Sequence, residues 1–403
     1  MSKIPKLRFK EFSENLEQHK FKDLVLLQRG SSPRPISKYV TNSEDGVNWI
    51  KIGDVSKDST VIYKTKEKIT PEGAKKSRFV GVGDLILSNS MSFGRPYIMA
   101  IEGYIHDGWF VLKNYNKNFN RDYLCQLLTS PAIQKQYKRL AAGGVVDNIS
   151  SELVNSVEIN LPSKEEQEKI ASFFSLIDDK ISLQGEKVEA LKDYKKGMMQ
   201  KIFSRELRFK DDEGRDYPEW EEKSFREILT SRIEKQIPSQ EAPLMAFTST
   251  GGIEPKGEKY DRSFLVKSDE KLYKRTELND FIYSSNNLDV GSIGLNKYGT
   301  AVISDVYEIF IISKEVSCNF ISELIQTPRV LNKVISYRQG VMYGQYRIHA
   351  DEFLKIREFI PCLQEQNKIA NFLFDIDEKI NKEQEKLDFL NEYKKGLLQQ
   401  MFV

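Results

Sequence analysis

Two stretches of the chain carry the same hydrophobic rhythm. From 177 to 202, apolar residues recur at alternating spacings of four and three. They are Ile177, Ile181, Val188, Leu191, Met198 and Ile202, with Gln184 and Lys195 filling the two remaining slots. From 376 to 401 the same slots hold Ile376, Ile380, Leu387, Leu390, Leu397 and Met401, with Glu383 and Lys394 at the same two polar places. A mean spacing of 3.5 lays one apolar line along an α-helix and predicts a coiled-coil seam. Matched polar intrusions favour the two helices pairing with each other, because a polar residue in a seam fixes register at some cost in stability. The other reading of the pattern is one amphipathic helix per domain, packed on its own core. No proline falls between Pro162 and Pro218, and none follows Pro361. Ser163, three residues before Glu166, predicts a capping box at the first helix start. Cys362 stands at that place in the second copy and predicts a less firm start. About 40 residues at ~1.5 Å each make a rod of roughly 60 Å, long enough to hold two domains apart.

The pattern repeats because the chain repeats. Leu161–Ser204 aligns without a gap on Ile360–Val403 at an offset of 199, with 20 of 44 positions identical. Tyr194-Lys195-Lys196-Gly197 returns as Tyr393-Lys394-Lys395-Gly396, and Leu7-Arg8-Phe9-Lys10 as Leu207-Arg208-Phe209-Lys210. A gapless match of this length points to duplication. Each half therefore has a short lead-in, about 140 divergent residues, and a closely repeated helical tail.

The divergent regions, near 21–160 and 221–360, read as mixed α/β. Val47-Asn48-Trp49-Ile50-Lys51-Ile52 and Thr300-Ala301-Val302-Ile303-Ser304 predict strands among Gly, Asn and Ser breakers, and one helix is expected in each region, over Tyr123–Leu140 and Phe320–Tyr337. The formal charge of +2 hides a difference between them. Residues 20–160 hold 20 Lys+Arg against 14 Asp+Glu, and residues 221–360 hold 19 against 20. A modest basic excess in one region allows nucleic acid as a partner without demanding it. Loops rich in Gly, Arg, Asn, Gln and Tyr add to that case, since Arg, Asn and Gln read guanine and adenine edges in the major groove. The candidate DNA contacts are Arg29, Arg34, Ser92, Arg95, Tyr97 and Asn148 in the first region. In the second they are Asn286, Asn287, Lys297, Tyr298, Tyr343, Gln345, Tyr346 and Arg347. Ordinary turn chemistry is the competing explanation for any one of them.

Catalytic signatures are missing. There is no GxxxxGK[ST] phosphate loop, no HExxH or paired CxxC, and no Asn/Asp-Pro-Pro-aromatic tetrapeptide of the amino-methyltransferases. His19, His106 and His349 are scattered, and Cys125, Cys318 and Cys362 are too far apart for a zinc module. No apolar run approaches the ~20 residues of a membrane span, and Met1–Lys6 lacks the apolar stretch of a signal peptide, so a soluble cytoplasmic protein is expected.

The repeated motif resembles the specificity (S) subunit of type I restriction-modification enzymes. It runs Leu161-Pro162, Glu166-Gln167, Ile170-Ala171, Phe173, Asp178 and Ile181. It returns as Ile360-Pro361, Glu365-Gln366, Ile369-Ala370, Phe372, Asp377 and Ile380. The second lead-in continues to Tyr217-Pro218-Glu219-Trp220, whereas the first has Leu16-Glu17 where the family often has Trp. The resemblance implies an α+β chain of two similar α/β target-recognition domains. Two long helices separate them and pair as an antiparallel coiled coil with a pseudo-twofold repeat. Its segments are 1–160 and 205–360 for the recognition domains with their lead-ins, and 161–204 and 361–403 for the helices. It implies a non-catalytic role: each recognition domain reads half of a bipartite site in double-stranded DNA. Two modification (methyltransferase) subunits dock on the helices and two restriction subunits complete the complex. S-adenosylmethionine, ATP and Mg are expected on those partners, and no cofactor or metal on this chain. A coiled-coil adaptor with two protein-binding heads is the alternative. A self-contained nuclease or methyltransferase is disfavoured by the missing motifs.

Overall fold

The structure, a computed structural model, describes residues 4–55, 60–89, 94–141, 149–248, 252–255, 271–285, 293–337, 339–342 and 345–403; for 141, 339–342 and 345–347 it describes the backbone alone. Two compact units form, Met1–Glu186 with Gln384–Val403, and Lys187–Glu383. They cut across the four segments expected from sequence. Each unit takes one divergent region together with half of each long helix, so the chain changes unit in mid-helix.

In the first unit the lead-in strand β1 (Glu17–Lys20) opens the divergent region. Its central sheet is built from β2 (Leu26–Arg29), β3 (Val61–Ile62), β4 (Leu85–Ser88), β5 (Pro96–Met99) and β6 (Trp109–Lys113), in the order β2-β6-β4-β5-β3. Strand β4 is buried at all four positions, as a continuous apolar run in a two-sided core requires. Two helices follow, α1 (Arg121–Thr129) and α2 (Pro131–Ala141). Strand β7 (Glu158–Leu161) then closes the region by pairing antiparallel with β1, Glu17 opposite Leu161. The long helix α3 (Lys164–Phe203) comes next.

The second unit repeats this plan on a different sequence. Strand β8 (Glu221–Ser224) leads in, and β9 (Leu229–Ser231), β10 (Phe281–Ser284), β11 (Ile293–Leu295) and β12 (Tyr307–Ile312) pair in the order β9-β12-β10-β11. That order matches β2-β6-β4-β5. Helices α4 (Cys318–Ile325) and α5 (Pro328–Ser336) follow, β13 (Arg357–Ile360) pairs with β8, and α6 (Leu363–Met401) ends the chain.

The single helix expected in each region is a pair. Proline lacks the N–H that a helix interior needs, so it opens a new helix instead of continuing the old one. Pro131 and Pro328 do this, and the Thr327 side chain caps α5 by accepting from Val330 N at 3.4 Å. The capping box at Ser163 is half formed. Ser163 Oγ accepts from Glu166 N at 3.3 Å, but both Glu166 carboxylate oxygens turn to Arg8, at 2.8 Å (Nε) and 2.7 Å (Nη2). A carboxylate this deeply buried takes a guanidinium before a backbone amide, because the guanidinium brings charge as well as two parallel donors.

Every seam position of both helices is buried or half-buried, from Ile177 and Ile181 through Val188, Leu191 and Met198 to Ile202, and from Ile376 and Ile380 through Leu387 and Leu390 to Leu397 and Met401. The helices pair antiparallel. In the second unit Lys195 meets Asp377 at 2.7 Å and Lys187 meets Glu383 at 3.0 Å, so positions descend along one helix as they ascend along the other. In the first unit Lys394 meets Asp178 at 2.5 Å. Lys394 repeats Lys195 and Asp178 repeats Asp377, so one ion pair is made twice with the helices exchanged, the reciprocity of an isologous contact. The seam lysine is thereby satisfied rather than stranded. Burial opposes the charge on Lys195, but the hydrogen bond to Asp377 and the nearby Glu323 outweigh it and raise its pKa.

The lead-ins are fastened to the helix starts by the same device twice. Arg8 holds Glu166, and Arg208 holds Glu365 at 3.2 Å (Nε) and 2.9 Å (Nη2). Phe9 packs edge-on against Phe173 (5.8 Å) and Phe209 against Phe372 (5.4 Å). The halves differ at one donor: Trp220 Nε1 also donates to Glu365 at 3.1 Å, and the first lead-in has Leu16 at the matching place. Arg8→Ala therefore strands Glu166 and is expected to cost about 3 kcal/mol, the range for breaking a buried ion pair. Arg208→Ala leaves the indole donor in place and is expected to cost less. Thermal unfolding of the two variants side by side checks the order.

Candidate nucleic-acid interface

In each unit, loops gather where the central buried strand ends. Strand β4 ends at Ser88, and Asn89 beyond it ties several segments together. Asn89 N donates to Gly108 O (2.9 Å), its Nδ2 to Asp107 O (2.8 Å), and its carbonyl accepts from Ile149 N (2.6 Å). The loop after β2 joins them. Gly30 N donates to Trp109 O (2.8 Å), and a Cβ on Gly30 would stand 2.0 Å from His106 O, so only glycine lets that loop lie so close. Ser32 Oγ and Arg34 Nη2 donate to the Asp107 carboxylate at 2.8 and 3.3 Å, and Arg29 Nε to its carbonyl at 3.1 Å. Burial works against the charge on Asp107, yet the Ser32 hydrogen bond, with Arg34 nearby, holds its pKa below the usual carboxylate range. His106 is a packed residue: its Nε2 accepts from Ile52 N at 3.1 Å and burial pushes its pKa down.

The second unit builds the same knot from other residues. Ser285, just past β10, donates from N (3.1 Å) and Oγ (2.9 Å) to Val306 O, and its carbonyl accepts from Ile348 N (3.0 Å). The turn before β12 again carries an acid, Asp305, which pairs with Lys235 at 2.8 Å. Arg34–Asp107 and Lys235–Asp305 are thus equivalent: a turn carboxylate steadies a cation that stays exposed on the rim, Arg34 at 83% and Lys235 at 44%.

The candidates taken from sequence divide accordingly. Arg29 and Arg34 sit together on the rim. Tyr97 does not: it is 1% exposed and packs edge-on against Trp109 at 5.5 Å, because its strand position faces the core. Arg95 lies over the Tyr97 ring (5.6 Å) and lines a cavity with Gln126, Asp178 and Lys394, so it faces the long helices. Lys297 and Tyr298 are exposed but stand at the far end of β10. Asn296 N donates to Asp280 O (2.8 Å), and its Oδ1 accepts from Tyr298 N (2.9 Å), which fixes that turn at the strand's start. Four residues of strand, about 13 Å, separate them from Ser285. Ser92, Asn148, Asn286, Asn287 and Tyr343 lie outside the described residues. Gln345, Tyr346 and Arg347 are described as backbone only, in a short hairpin with Gln339–Met342 that leads to Ile348. Lys235 and the two turn acids escaped the sequence reading. The signal was an aspartate recurring at nearly the repeat offset, in His106-Asp107-Gly108-Trp109 and Ser304-Asp305-Val306-Tyr307.

Among the described residues no cluster of His, Cys, Asp and Glu is arranged to hold a metal, and no helix is long and apolar enough to cross a membrane.

The family described as type I restriction modification DNA specificity domain matches this chain twice, over residues 13–193 and 217–392. The chain is 27% identical over 262 residues to the MjaX type I restriction enzyme specificity subunit of Methanocaldococcus jannaschii, covering 60% of this chain and 58% of that one. It is 28% identical over 162 residues to the HindI specificity subunit of Haemophilus influenzae, 38% of this chain and 35% of that one. The matched stretches thus span less than two thirds of either relative. In fold it is similar to a type I restriction-modification S subunit from M. genitalium (TM-score 0.54, 15% identity, 100% of this chain and 99% of that one). It is also similar to a chain from a structural study of assembly in the type I R-M system (TM-score 0.62, 12% identity, 96% and 97%). The twice-matched family, the doubled sheet order and the reciprocal helix contacts agree: the chain belongs to the type I restriction-modification DNA specificity subunits.

Proposed function

We propose that each unit reads one half of a bipartite DNA site, and that the chain directs adenine methylation and restriction performed by partner subunits. The observation that carries this reading is the equivalent knot of loops in each unit, with an exposed cation steadied by a turn aspartate. The two knots share their framework hydrogen bonds and differ in almost every side chain, as two readers of different sequences on one scaffold require. The near-neutral total charge fits a chain that supplies the address while partners supply much of the phosphate grip. The rim residues assigned to DNA are Arg29, Arg34 and Lys235.

The duplicated helices bear on the partners. The repeat acts as its own two-sequence comparison. Tyr194 and Tyr393 are identical, 52% and 49% exposed, and so are not kept for the core. Lys196 and Lys395 beside them are also identical and exposed. Surface residues retained in both copies suit two docking patches for two copies of one subunit, the methyltransferase. The paired helices would also act as the ruler between half-sites.

Methylome sequencing of a cell carrying this chain with its methyltransferase is the deciding experiment; it is expected to show one asymmetric site with two fixed halves and a fixed gap. Methyl transfer by the chain alone would overturn the division of labour. Arg34→Ala and Lys235→Ala are each expected to lower the slope of log affinity against log salt by about 0.9 in the assembled complex, as for one lost phosphate contact. Tyr194→Ala with Tyr393→Ala is expected to weaken methyltransferase binding by roughly tenfold or more, readable by titration calorimetry, the scale of interfacial aromatic anchors. Inserting one heptad after Glu186 and another after Glu383 keeps the seam in register and adds about 10 Å. The gap between half-sites is then expected to lengthen by about three base pairs at 3.4 Å each, with both half-sites unchanged.

A further inference from the structure

Within each unit the helix that follows the central sheet is fastened to the long helices at two points. The first lies at its start. Asn120 N, at the head of α1, donates to Gln167 Oε1 at 2.8 Å, and Ser317 N, at the head of α4, donates to Gln366 Oε1 at 2.8 Å. The same glutamines donate from Nε2 to Pro162 O (3.1 Å) and Pro361 O (2.8 Å), and each is 1% exposed. A buried amide using both its ends in both copies is a fixed joint, since rotating it would cost two hydrogen bonds in a site closed to water. The second point lies six residues further along each short helix, about 9 Å. Gln126 Nε2 donates to Asp178 at 2.9 Å, and Glu323 forms an ion pair with Lys195 at 3.0 Å. These residues come to the same place from opposite chemistry. Asp178 and Lys195 belong to the two copies of the repeated seam ion pair, so a neutral amide takes its acid in one unit and a carboxylate takes its lysine in the other. One fastening would leave a helix free to pivot; two fix its bearing.

We infer that Gln126 and Gln167 in the first unit, and Glu323 and Gln366 in the second, are positioning residues that hold each reading region at a fixed bearing on its helices. They thereby set how strictly the complex counts the base pairs between half-sites. The inference rests on the bipartite reading above. None of the four belongs to the loop knots, so loosening them leaves the bases read unchanged and relaxes where the reader sits.

The test assembles the full chain with its methyltransferase subunit and reads the spacer by methylome sequencing, with thermal unfolding of each complex in parallel. Glu323→Ala and Gln126→Ala are expected to retain both half-sites and to raise methylation at sites one base pair longer or shorter by about tenfold, the scale of one lost hydrogen bond to a charged group. Glu323→Gln, which keeps the side chain's length and an amide oxygen able to face Lys195, is expected to keep the parental spacer. Gln126→Ala removes a half-buried, uncharged side chain and carries the test if Glu323→Ala unfolds. An unrelaxed spacer in a folded Glu323→Ala or Gln126→Ala complex would overturn the inference, as would Glu323→Gln relaxing as far as Glu323→Ala. No bipartite methylation by the parental complex would overturn the underlying reading instead.

Discussion

The structure depends on a helix pair that belongs to both compact units at once. Helices α3 and α6 each contribute one half to either unit, so each must be buried twice, on two regions that share little sequence. The seam meets this constraint with an ion pair that works in both copies. Lysine at Lys195 and Lys394 would destabilise an apolar seam if unpaired, yet each finds the aspartate that the repeat places on the opposite helix. A charge satisfied only in one antiparallel register excludes neighbouring registers, since a slip strands both partners.

The same economy governs how the divergent regions are mounted. Each is bracketed by a strand pair, β1 with β7 and β8 with β13, and by a guanidinium–carboxylate clasp from the lead-in to the first helical turn. What lies between the brackets is free to change so long as it returns to the same place. Large apolar side chains, each worth about 1.5–3 kcal/mol when fully buried, fill the interior of both units. Beyond Phe21 and Phe225, which repeat after the lead-in strands, the aromatic sets differ: Phe110 and Tyr123 in one, Phe281, Phe310 and Phe353 in the other. Several polar fastenings repeat residue for residue, among them Arg8–Glu166 with Arg208–Glu365 and Gln167 with Gln366. Hydrophobic packing tolerates substitution at constant volume, whereas a buried hydrogen bond demands a particular donor at a particular place.

At the two loop knots the framework leaves a cation exposed. A carboxylate on the turn before β6 or β12 costs some attraction for a polyanion, but it restrains Arg34 or Lys235 in the free chain. Ordering a long cationic side chain in advance lowers the entropic cost of any contact it is recruited to.

The sequence by itself determined the repeat, the helical tails, their seam and the absence of catalytic signatures, because these are local: periodicity, spacing and proline placement act within a few turns. It also led to the Arg29 and Arg34 loop, where glycine and arginine cluster next to a strand. Tertiary structure decided the rest. Tyr97 reads like a recognition aromatic and is core, because its place on β5 turns it inward against Trp109. Lys297 and Tyr298 share the composition of the knot loops but lie at the opposite end of β10, since the antiparallel β11 carries the chain back before the turn. Glu166 looks like half of a capping box and answers instead to an arginine 158 positions away. Lys235 and Asp305 lie 70 positions apart, and only sheet register brings them into contact. Pattern along the chain identifies elements; which groups meet depends on closure across it, and that is a property of the folded units alone.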